Sequence, residues 1–153
     1  MKYKIMFVCH GNICRSPMAE FVFKDMVNKA GRTDFEIASC AVSSEEIWGG
    51  VGNPVYPPVK ALLKQKGIFC DGKRAVKLQP SDGEKYHLFL CMDESNLRRA
   101  KSILGERYAE KCKKLLSLLG SDEDVADPWY TRDFEQAYRD IERGCRKLLE
   151  IYP

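Results

Sequence analysis

Five residues separate Cys9 from Arg15 near the start of the chain. The guanidinium of an arginine is a planar fork that can hold two phosphate oxygens, and a cationic neighbour favours the thiolate form of a cysteine. The thiolate is the nucleophilic form. The pair therefore predicts a covalent attack by Cys9 on a phosphoryl group that Arg15 holds. The full segment is Cys9-His10-Gly11-Asn12-Ile13-Cys14-Arg15-Ser16.

The residues around the cysteine and the arginine suit a tight anion-binding loop. Gly11 permits sharp curvature, and Asn12 tolerates a positive φ better than most residues. The backbone N–H groups of such a loop, with the N-terminus of a following helix, bind a tetrahedral dianion. Ser16 can donate its hydroxyl to the sulfur of Cys9, which steadies the thiolate and helps it leave a covalent intermediate. The predicted phosphate-binding residues of this loop are His10, Gly11, Asn12, Ile13, Cys14 and Ser16.

A second segment, Asp127-Pro128-Trp129-Tyr130, carries the acid that this chemistry needs. Hydrolysis of an aryl phosphate requires a proton for the departing oxygen and then a base that activates water. We expect Asp127 to serve as both, and Pro128 restricts it to extended conformations. Trp129 and Tyr130 could flank the flat ring of an aryl group. The neighbouring acids at 122–124 are rival candidates, but they fit a solvated acidic turn better.

Alternating strand and helix signals position these two segments. The apolar run Lys2–Val8 suits a buried strand, and Ser16-Pro17 offers an N-cap followed by proline at the first helical position. Gly31 ends that helix. Residues 43–58 hold three glycines and three prolines and form a long loop. Further strands are predicted at Phe35–Val42, Tyr86–Cys91 and Lys114–Leu119, with further helices before Gly67, near 94–104 and from Phe134 to Tyr152.

This alternation predicts an α/β fold, a three-layer sandwich in which a central four-stranded parallel sheet has helices on both faces. In such sheets ligands bind beyond the carboxyl ends of the strands. The loops at 9–16 and around 127 both follow strands, so we expect them to meet at that edge. A chain of 153 residues has the length of one ordinary domain, and we expect a single domain over 1–153.

The composition excludes several other classes of protein. The net charge of +3 is small and the basic residues are scattered, so no nucleic-acid partner is expected. Seven cysteines form an odd set without a Cys-x-x-Cys pair, and two histidines leave no zinc spacing. We therefore expect reduced thiols and no metal. The apolar start is too short for a signal peptide, and no run could span a membrane, so we expect a cytoplasmic protein without a membrane partner.

Together the two chemical segments resemble those of the low-molecular-weight protein tyrosine phosphatases. The resemblance lies in Val8–Pro17, which matches the pattern V-C-x-G-N-I-C-R-S-P, and in Asp127–Tyr130, which matches D-P-[YW]-Y. It extends over essentially the whole chain. Further similar segments are Ser43–Ile47, Gly52–Pro54 and Cys91–Asn96.

The resemblance implies a role for each matching residue. Cys9 would be the nucleophile, Arg15 the phosphate clamp, and Asp127 the general acid and then the general base. Asn12 and Ser16 would hold the loop in shape, and neither a metal nor a cofactor is implied. Cys14 resembles the family's second cysteine, which can pair with an oxidised Cys9 and protect it. The implied substrates are phosphotyrosine-containing proteins or small aryl phosphates, with inorganic phosphate as product, and we expect a monomer.

Three positions depart from the family pattern. Trp48-Gly49-Gly50-Val51 looks like an insertion beside the substrate cleft, so Trp48 is either a wall of that cleft or an exposed structural residue. Lys73 stands where relatives often have a histidine that supports the phosphate loop through Asn12. His10 stands where relatives often have an apolar residue, and it borders the nucleophile.

Two other functions fit part of the sequence. Arsenate reductases of the same fold use a thiol cascade, and Cys91 lies in the expected region, but no second thiol follows it nearby. A phosphate-binding module without catalysis would be expected to lose Cys9, Arg15 or Asp127, and all three are present. Low-molecular-weight phosphomonoesters and phosphoarginine stay open as substrates.

Overall fold

The computed structural model describes residues 2–153, in which strands and helices alternate along the chain. Their order follows the predicted pattern, and two short 3₁₀ helices, Glu106–Lys111 and Leu115–Leu119, flank the last strand of the main sheet. The strands and α-helices are β1 (Tyr3–Cys9), α1 (Arg15–Lys29), β2 (Phe35–Ala41), β3 (Ile47–Trp48), β4 (Val51–Gly52), α2 (Pro57–Gln65), α3 (Asp82–Lys85), β5 (Leu88–Cys91), α4 (Glu94–Leu104), β6 (Cys112–Lys114), α5 (Pro128–Thr131) and α6 (Phe134–Ile151).

The main sheet has four parallel strands in the order β2-β1-β5-β6. Strand β1 lies in the interior of the sheet, and Val8 pairs with Cys40 on one side and with Cys91 on the other. A central parallel strand is covered on both faces, which explains why β1 is a nearly continuous apolar run. The parallel strands β1, β2 and β5 end at the same edge of the sheet. Cys9 and the residues after Cys91 are therefore brought together.

Helices cover both faces of the sheet. Ile5 and Phe7 belong to a core formed with α1, α2 and α6, whereas Met6 and Val8 belong to a second core formed with α4. Alternate residues of a strand point to opposite faces, so β1 contributes to both cores. The predicted α/β fold with a central four-stranded parallel sheet is confirmed. Within residues 2–153, no helix combines the length and the apolar character that crossing a membrane requires.

The predicted last strand at Lys114–Leu119 is wrong in its position. The strand is Cys112–Lys114, and Leu115–Leu119 forms a 3₁₀ helix that packs on α6. A short apolar run does not by itself distinguish a buried strand from a buried helical turn. Here Gly144 of α6 leaves the space that Leu115 fills, because a Cβ at that glycine would lie 2.6 Å from Cγ of Leu115.

The predicted loop at 43–58 contains a small antiparallel hairpin of β3 and β4, in which Trp48 pairs with Val51. Gly49 and Gly50 both have positive φ, 57° and 79°, as the tight two-residue turns of hairpins require. Gly52 then passes against the backbone of Ala75. The sequence Trp48-Gly49-Gly50-Val51 is therefore a complete hairpin tip.

Candidate active site

Cys9 is the last residue of β1, and the loop after it leads directly into α1. Its side chain is buried at the bottom of a cavity, where Sγ lies 2.9 Å from Oγ of Ser16. The backbone N–H of Asn12 also points at Sγ, with 3.3 Å between the two atoms. These two contacts hold the sulfur at the end of β1, where the sequence predicts the nucleophile.

Asn12 holds the loop in its curved shape. It has a φ of 60° and is 1% exposed, and its side-chain amide donates to Oγ of Ser16 at 2.8 Å and to Oγ of Ser39 at 2.9 Å. Its Oδ1 accepts the backbone N–H of Val76 at 3.0 Å. Asparagine is among the few residues that adopt this left-handed conformation readily. One side chain thus joins the loop to α1, β2 and the segment around Val76.

A buried charge network lies behind Asn12. Oγ of Ser39 donates to Glu20, whose carboxylate lies 3.6 Å from the ammonium of Lys73 and also contacts Lys24. Lys73 in turn donates to the backbone oxygen of Ser39 at 3.1 Å. Burial lowers the pKa of Lys73, and the neighbouring Glu20 partly opposes that effect. Lys73 therefore supports the loop through Ser39 and Glu20, and it does not bond Asn12 itself.

Arg15 is the first residue of α1 and is 2% exposed. Nη1 donates to Oδ2 of Asp93 and to the backbone oxygen of Val125, both at 2.8 Å, and Nη2 lies 3.3 Å from Oδ2 of Asp127. Burial opposes the charge, but the negative groups of Cys9, Asp127 and Asp93 outweigh it and raise the pKa of Arg15. The guanidinium is thus a fixed cation beside the nucleophile.

Asp127 is brought to the same place from the opposite end of the chain. It is the N-cap of the four-residue helix α5, with Oδ1 accepting the backbone N–H of Trp129 at 3.0 Å and Oδ2 facing Arg15. Of the rival acids, Asp124 accepts hydrogen bonds from Lys114 and from the backbone of Glu94. It is therefore a bridging residue and not simply a solvated one.

These groups line a cavity of about 360 Å³. Trp129 and Tyr130 form an aromatic side at its mouth, where Tyr130 is 82% exposed. His10 lies at the rim and places Nε2 at 3.0 Å from Oε2 of Glu45. The cavity is lined by Cys9, His10, Gly11, Ile13, Cys14, Arg15, Glu45, Glu46, Asp127, Trp129 and Tyr130.

Three of the predicted site residues do not line this cavity. The side chains of Asn12 and Ser16 are buried inside the loop, where Ser16 contacts Sγ of Cys9 and Asn12 donates to Ser16. Trp48 stands on the hairpin and is 74% exposed, while Glu45 and Glu46, which precede that hairpin, line the rim. Among the described residues, no cluster of three or more metal-ligating side chains is found.

Cys14 lines the cavity next to the nucleophile but differs from it in character. Burial raises its pKa, and the nearby charges of Cys9 and Asp127 raise it further. Cys14 is thus a protonated thiol at neutral pH. All seven cysteines, which lie within residues 2–153, are buried and unpaired.

Several functional residues are missing from the prediction. Asp93 lies two residues after the end of β5 at the carboxyl edge of the sheet, and that position is the signal that could have identified it as the partner of Arg15. Glu20 lies four residues after Ser16 and so on the same face of α1. Glu45 and Glu46 lie in a long loop, and their one further signal is that they belong to the family-like segment Ser43–Ile47.

The family model described as "Low molecular weight phosphotyrosine protein phosphatase" matches residues 4–151. The chain therefore belongs to that family, and the predicted membership is confirmed. The low molecular weight protein-tyrosine-phosphatase YfkJ of Bacillus subtilis is 34% identical over 148 residues, which cover 95% of this chain and 92% of that protein. The corresponding phosphatase of Homo sapiens is 36% identical over 154 residues, covering 95% and 93%.

Solved structures show the same relationship. The crystal structure of YfkJ superimposes with a TM-score of 0.91 at 33% identity, covering 98% of this chain and 94% of that one. The structure of DARP, a drosophila arginine phosphatase, superimposes with a TM-score of 0.87 at 30% identity, covering 99% and 98%. This fold is thus shared by proteins named as tyrosine phosphatases and by one named as an arginine phosphatase.

Proposed function

We propose that the protein hydrolyses phosphotyrosine through a phosphocysteine intermediate on Cys9. The observation that carries this proposal is that Asp127, which is distant in sequence, lines the same cavity as Cys9 and Arg15 of the phosphate loop. A nucleophile, a cation for the phosphate and an acid for the leaving group are the groups that this reaction needs.

In the first step the Cys9 thiolate attacks phosphorus, and the bond from phosphorus to the tyrosyl oxygen breaks. Arg15 and the backbone N–H groups of the loop hold the phosphoryl oxygens during the transfer. Asp127, in its acid form, gives its proton to the departing oxygen. The contact between Arg15 and Asp127 in the free protein gives way to the phosphate dianion, which offers the guanidinium a stronger acceptor.

In the second step Asp127 acts as a base. It takes a proton from water, the resulting hydroxide attacks phosphorus, and the bond between phosphorus and Sγ breaks. The hydroxyl of Ser16, 2.9 Å from Sγ, stabilises the thiolate that leaves. The product is inorganic phosphate, and the enzyme returns to its initial state without a metal or a cofactor.

The shape of the cavity favours an aryl phosphate. Ile13 and the aromatic pair Trp129 and Tyr130 offer apolar surfaces for a flat ring. Phosphoarginine is the alternative that the comparison with DARP raises, and Glu45 and Glu46 at the rim are acceptors for its guanidinium. We propose phosphotyrosine in proteins or small aryl phosphates as the substrates, acted on by a monomer in the cytoplasm without a nucleic-acid or membrane partner.

The arsenate-reductase alternative gains no support from the site. Cys91 is fully buried in β5 and does not line the cavity, so its thiol is not available to attack the sulfur of Cys9 and form a disulfide as arsenite leaves. The acid at Asp127 would also have no role in a thiol cascade.

We further propose that Cys14 protects the nucleophile. Hydrogen peroxide would oxidise Cys9 to a sulfenic acid, and the thiol of Cys14 would then displace water to form a disulfide, which a dithiol reduces. Oxidation makes Cys9 neutral and so removes one cause of the raised pKa of Cys14. With Cys14→Ser, we expect normal turnover under reducing conditions but poor recovery after peroxide and dithiothreitol, compared with wild type.

Steady-state kinetics on two substrates test the proposed reaction. Cys9→Ser should abolish turnover of p-nitrophenyl phosphate and of phosphotyrosine. EDTA should not change the wild-type turnover of either substrate. Asp127→Ala should lower kcat/KM on phosphotyrosine by roughly 10²–10⁴-fold, and by less on p-nitrophenyl phosphate, whose leaving group needs less help from an acid. Phosphoarginine hydrolysis faster than phosphotyrosine hydrolysis would reassign the substrate. Turnover by Cys9→Ser would reject the mechanism.

A further inference from the structure

Lys114 is a buried charge outside the catalytic cavity. It is the last residue of β6 and is 7% exposed, although its neighbours in the sequence suggest a solvated basic turn. Its Nζ donates to the backbone oxygen of Asp122 at 2.7 Å and to Oδ1 of Asp124 at 3.1 Å. The carboxylates of Asp122 and Glu94 lie 3.3 Å and 3.7 Å away. The residue is thus surrounded by acceptors from the 121–127 segment and from α4.

The charge of Lys114 is sustained by these neighbours. Burial opposes the ammonium form, but the hydrogen bonds to Asp124 and Asp122 outweigh it and raise the pKa of Lys114. Oδ1 of Asp124 also accepts the backbone N–H of Glu94 at 3.2 Å. One ammonium group therefore fastens the 121–127 segment both to the end of β6 and to the start of α4.

The fastened segment leads directly to the acid. Val125 is fully buried, its N–H donates to the backbone oxygen of Met92 at 2.8 Å, and its own oxygen accepts from Arg15 at 2.8 Å. Asp127 follows two residues later and is stiffened by Pro128. Its own side-chain partners are Arg15 and the N–H of Trp129. A bound phosphate competes with Asp127 for Nη2 of Arg15, which leaves the backbone of 121–126 to position the carboxyl group.

We propose that Lys114 is a positioning residue for the general acid. It holds the 121–127 segment so that the Asp127 carboxyl stands beside the leaving oxygen. The inference rests on the proposed role of Asp127. Because the fastened segment leads to the acid, a loss of Lys114 should matter most where the leaving group most needs a proton.

The test compares kcat/KM of Lys114→Met on phosphotyrosine and on p-nitrophenyl phosphate. This parameter covers the steps through the first phosphoryl transfer, in which the acid protonates the leaving group. We expect a loss of about tenfold on phosphotyrosine and of about twofold on p-nitrophenyl phosphate, since small displacements of a catalytic group cost up to about a hundredfold. Lys113→Met, at the exposed neighbouring position of β6, is the matched control and should change neither value.

A second arm places Lys114→Met in the Asp127→Ala background. With the acid already absent, Lys114→Met should cause no further loss of kcat/KM on either substrate. An equal loss on the two substrates, or a further loss without Asp127, would overturn the inference. If Asp127→Ala itself showed no dependence on the leaving group, the proposed function would fail instead, so the two failures are distinguishable.

Asp124→Ala provides a variant that does not empty a buried site. It removes one acceptor of Lys114 and the link to Glu94, and its side chain is only partly buried. We expect the same selective loss on phosphotyrosine, with Glu123→Ala as the exposed neighbouring control. Far-UV circular dichroism identifies a variant that fails to fold. A folded Asp124→Ala variant with the wild-type ratio of kcat/KM on the two substrates would contradict the inference, even if Lys114→Met did not fold.

Discussion

At the scale of single residues, Asn12 connects the parts of the phosphate loop. Its side chain bonds Ser16, Ser39 and the backbone of Val76, and its positive φ gives the loop its curve. The nucleophile takes its position from the same residues, because Sγ of Cys9 contacts Ser16 and the N–H of Asn12. A change at Asn12 should therefore affect both stability and catalysis.

Asn12→Ala should lower the free energy of unfolding by about 3 kcal/mol, because buried partners lose their hydrogen bonds and alanine is strained at positive φ. It should also lower kcat/KM, since Ser16 and the loop N–H groups lose their positions. Urea denaturation and phosphotyrosine kinetics are the measurements. A variant whose stability stayed within about 0.5 kcal/mol of wild type would behave like a surface substitution, which would contradict the role given to Asn12.

The sequence predicted the site residues whose chemistry is local. Cys9 and Arg15 share one loop between a strand and a helix, and Asp127 sits in a recognisable turn. Glu20 and Asp93 were not predicted, because each acquires its role through contacts with residues far away in the chain, although the place of Asp93 after β5 was a signal. Trp48 shows the opposite case, since a residue type suited to a substrate wall lies on an exposed hairpin.

At the scale of elements, the hairpin of β3 and β4 is joined to the phosphate loop through a close backbone contact. A Cβ at Gly52 would lie 2.7 Å from the nitrogen and the carbonyl carbon of Ala75, and closer still to its oxygen. The next residue, Val76, donates its N–H to Asn12. Displacement of this segment would therefore be transmitted to the loop.

Gly52→Ala should destabilise the protein by about 3 kcal/mol, because backbone atoms and not flexible side chains occupy the space of the new methyl group. It should also lower phosphatase activity through Val76 and Asn12. Gly49→Asn is the control, because nothing lies within 4 Å of its Cβ position and asparagine tolerates its φ of 57°. Thermal unfolding compares the two variants. Equal melting temperatures for both would show that the backbone contact does not matter.

The elements were predicted well where hydrophobic patterns are long and less well where they are short. Strand β1 and helix α6 have clear patterns and lie where they were expected. The run of leucines at 115–119 was predicted as a strand, because the sequence does not reveal that Gly144 leaves a pocket for Leu115. The hairpin was hidden inside a segment rich in glycine and proline, whose composition alone indicates a loop.

At the scale of the whole molecule, the topology brings the chemistry together. Loops after β1 and β5 and the segment before α5 meet at one edge of the sheet, as the rule for parallel sheets predicts. The fold class could be derived from the alternation of elements. The positions of Glu45 and Glu46 at the rim of the cavity depend on the conformation of a loop, which hydrophobic periodicity does not predict.

That residues 1–153 form one cooperative domain stays a prediction. Two cores lie on opposite faces of the same sheet and share β1, so neither face can unfold without exposing the other. We expect a single thermal transition in which the calorimetric and van't Hoff enthalpies agree. Two separate transitions, or a protease-resistant fragment that keeps only one of the helical layers, would contradict this prediction.

Rapid acid quench can show whether the phosphoryl group passes through Cys9. Wild-type protein is mixed with phosphotyrosine, quenched within the first turnover, and digested for mass spectrometry. We expect a phosphoryl group on Cys9 of the wild type, released as inorganic phosphate on continued incubation, and no turnover by Cys9→Ser. Turnover of phosphotyrosine without any phosphorylated Cys9, or a phosphoryl group found on another residue that is turned over at the catalytic rate, would contradict it.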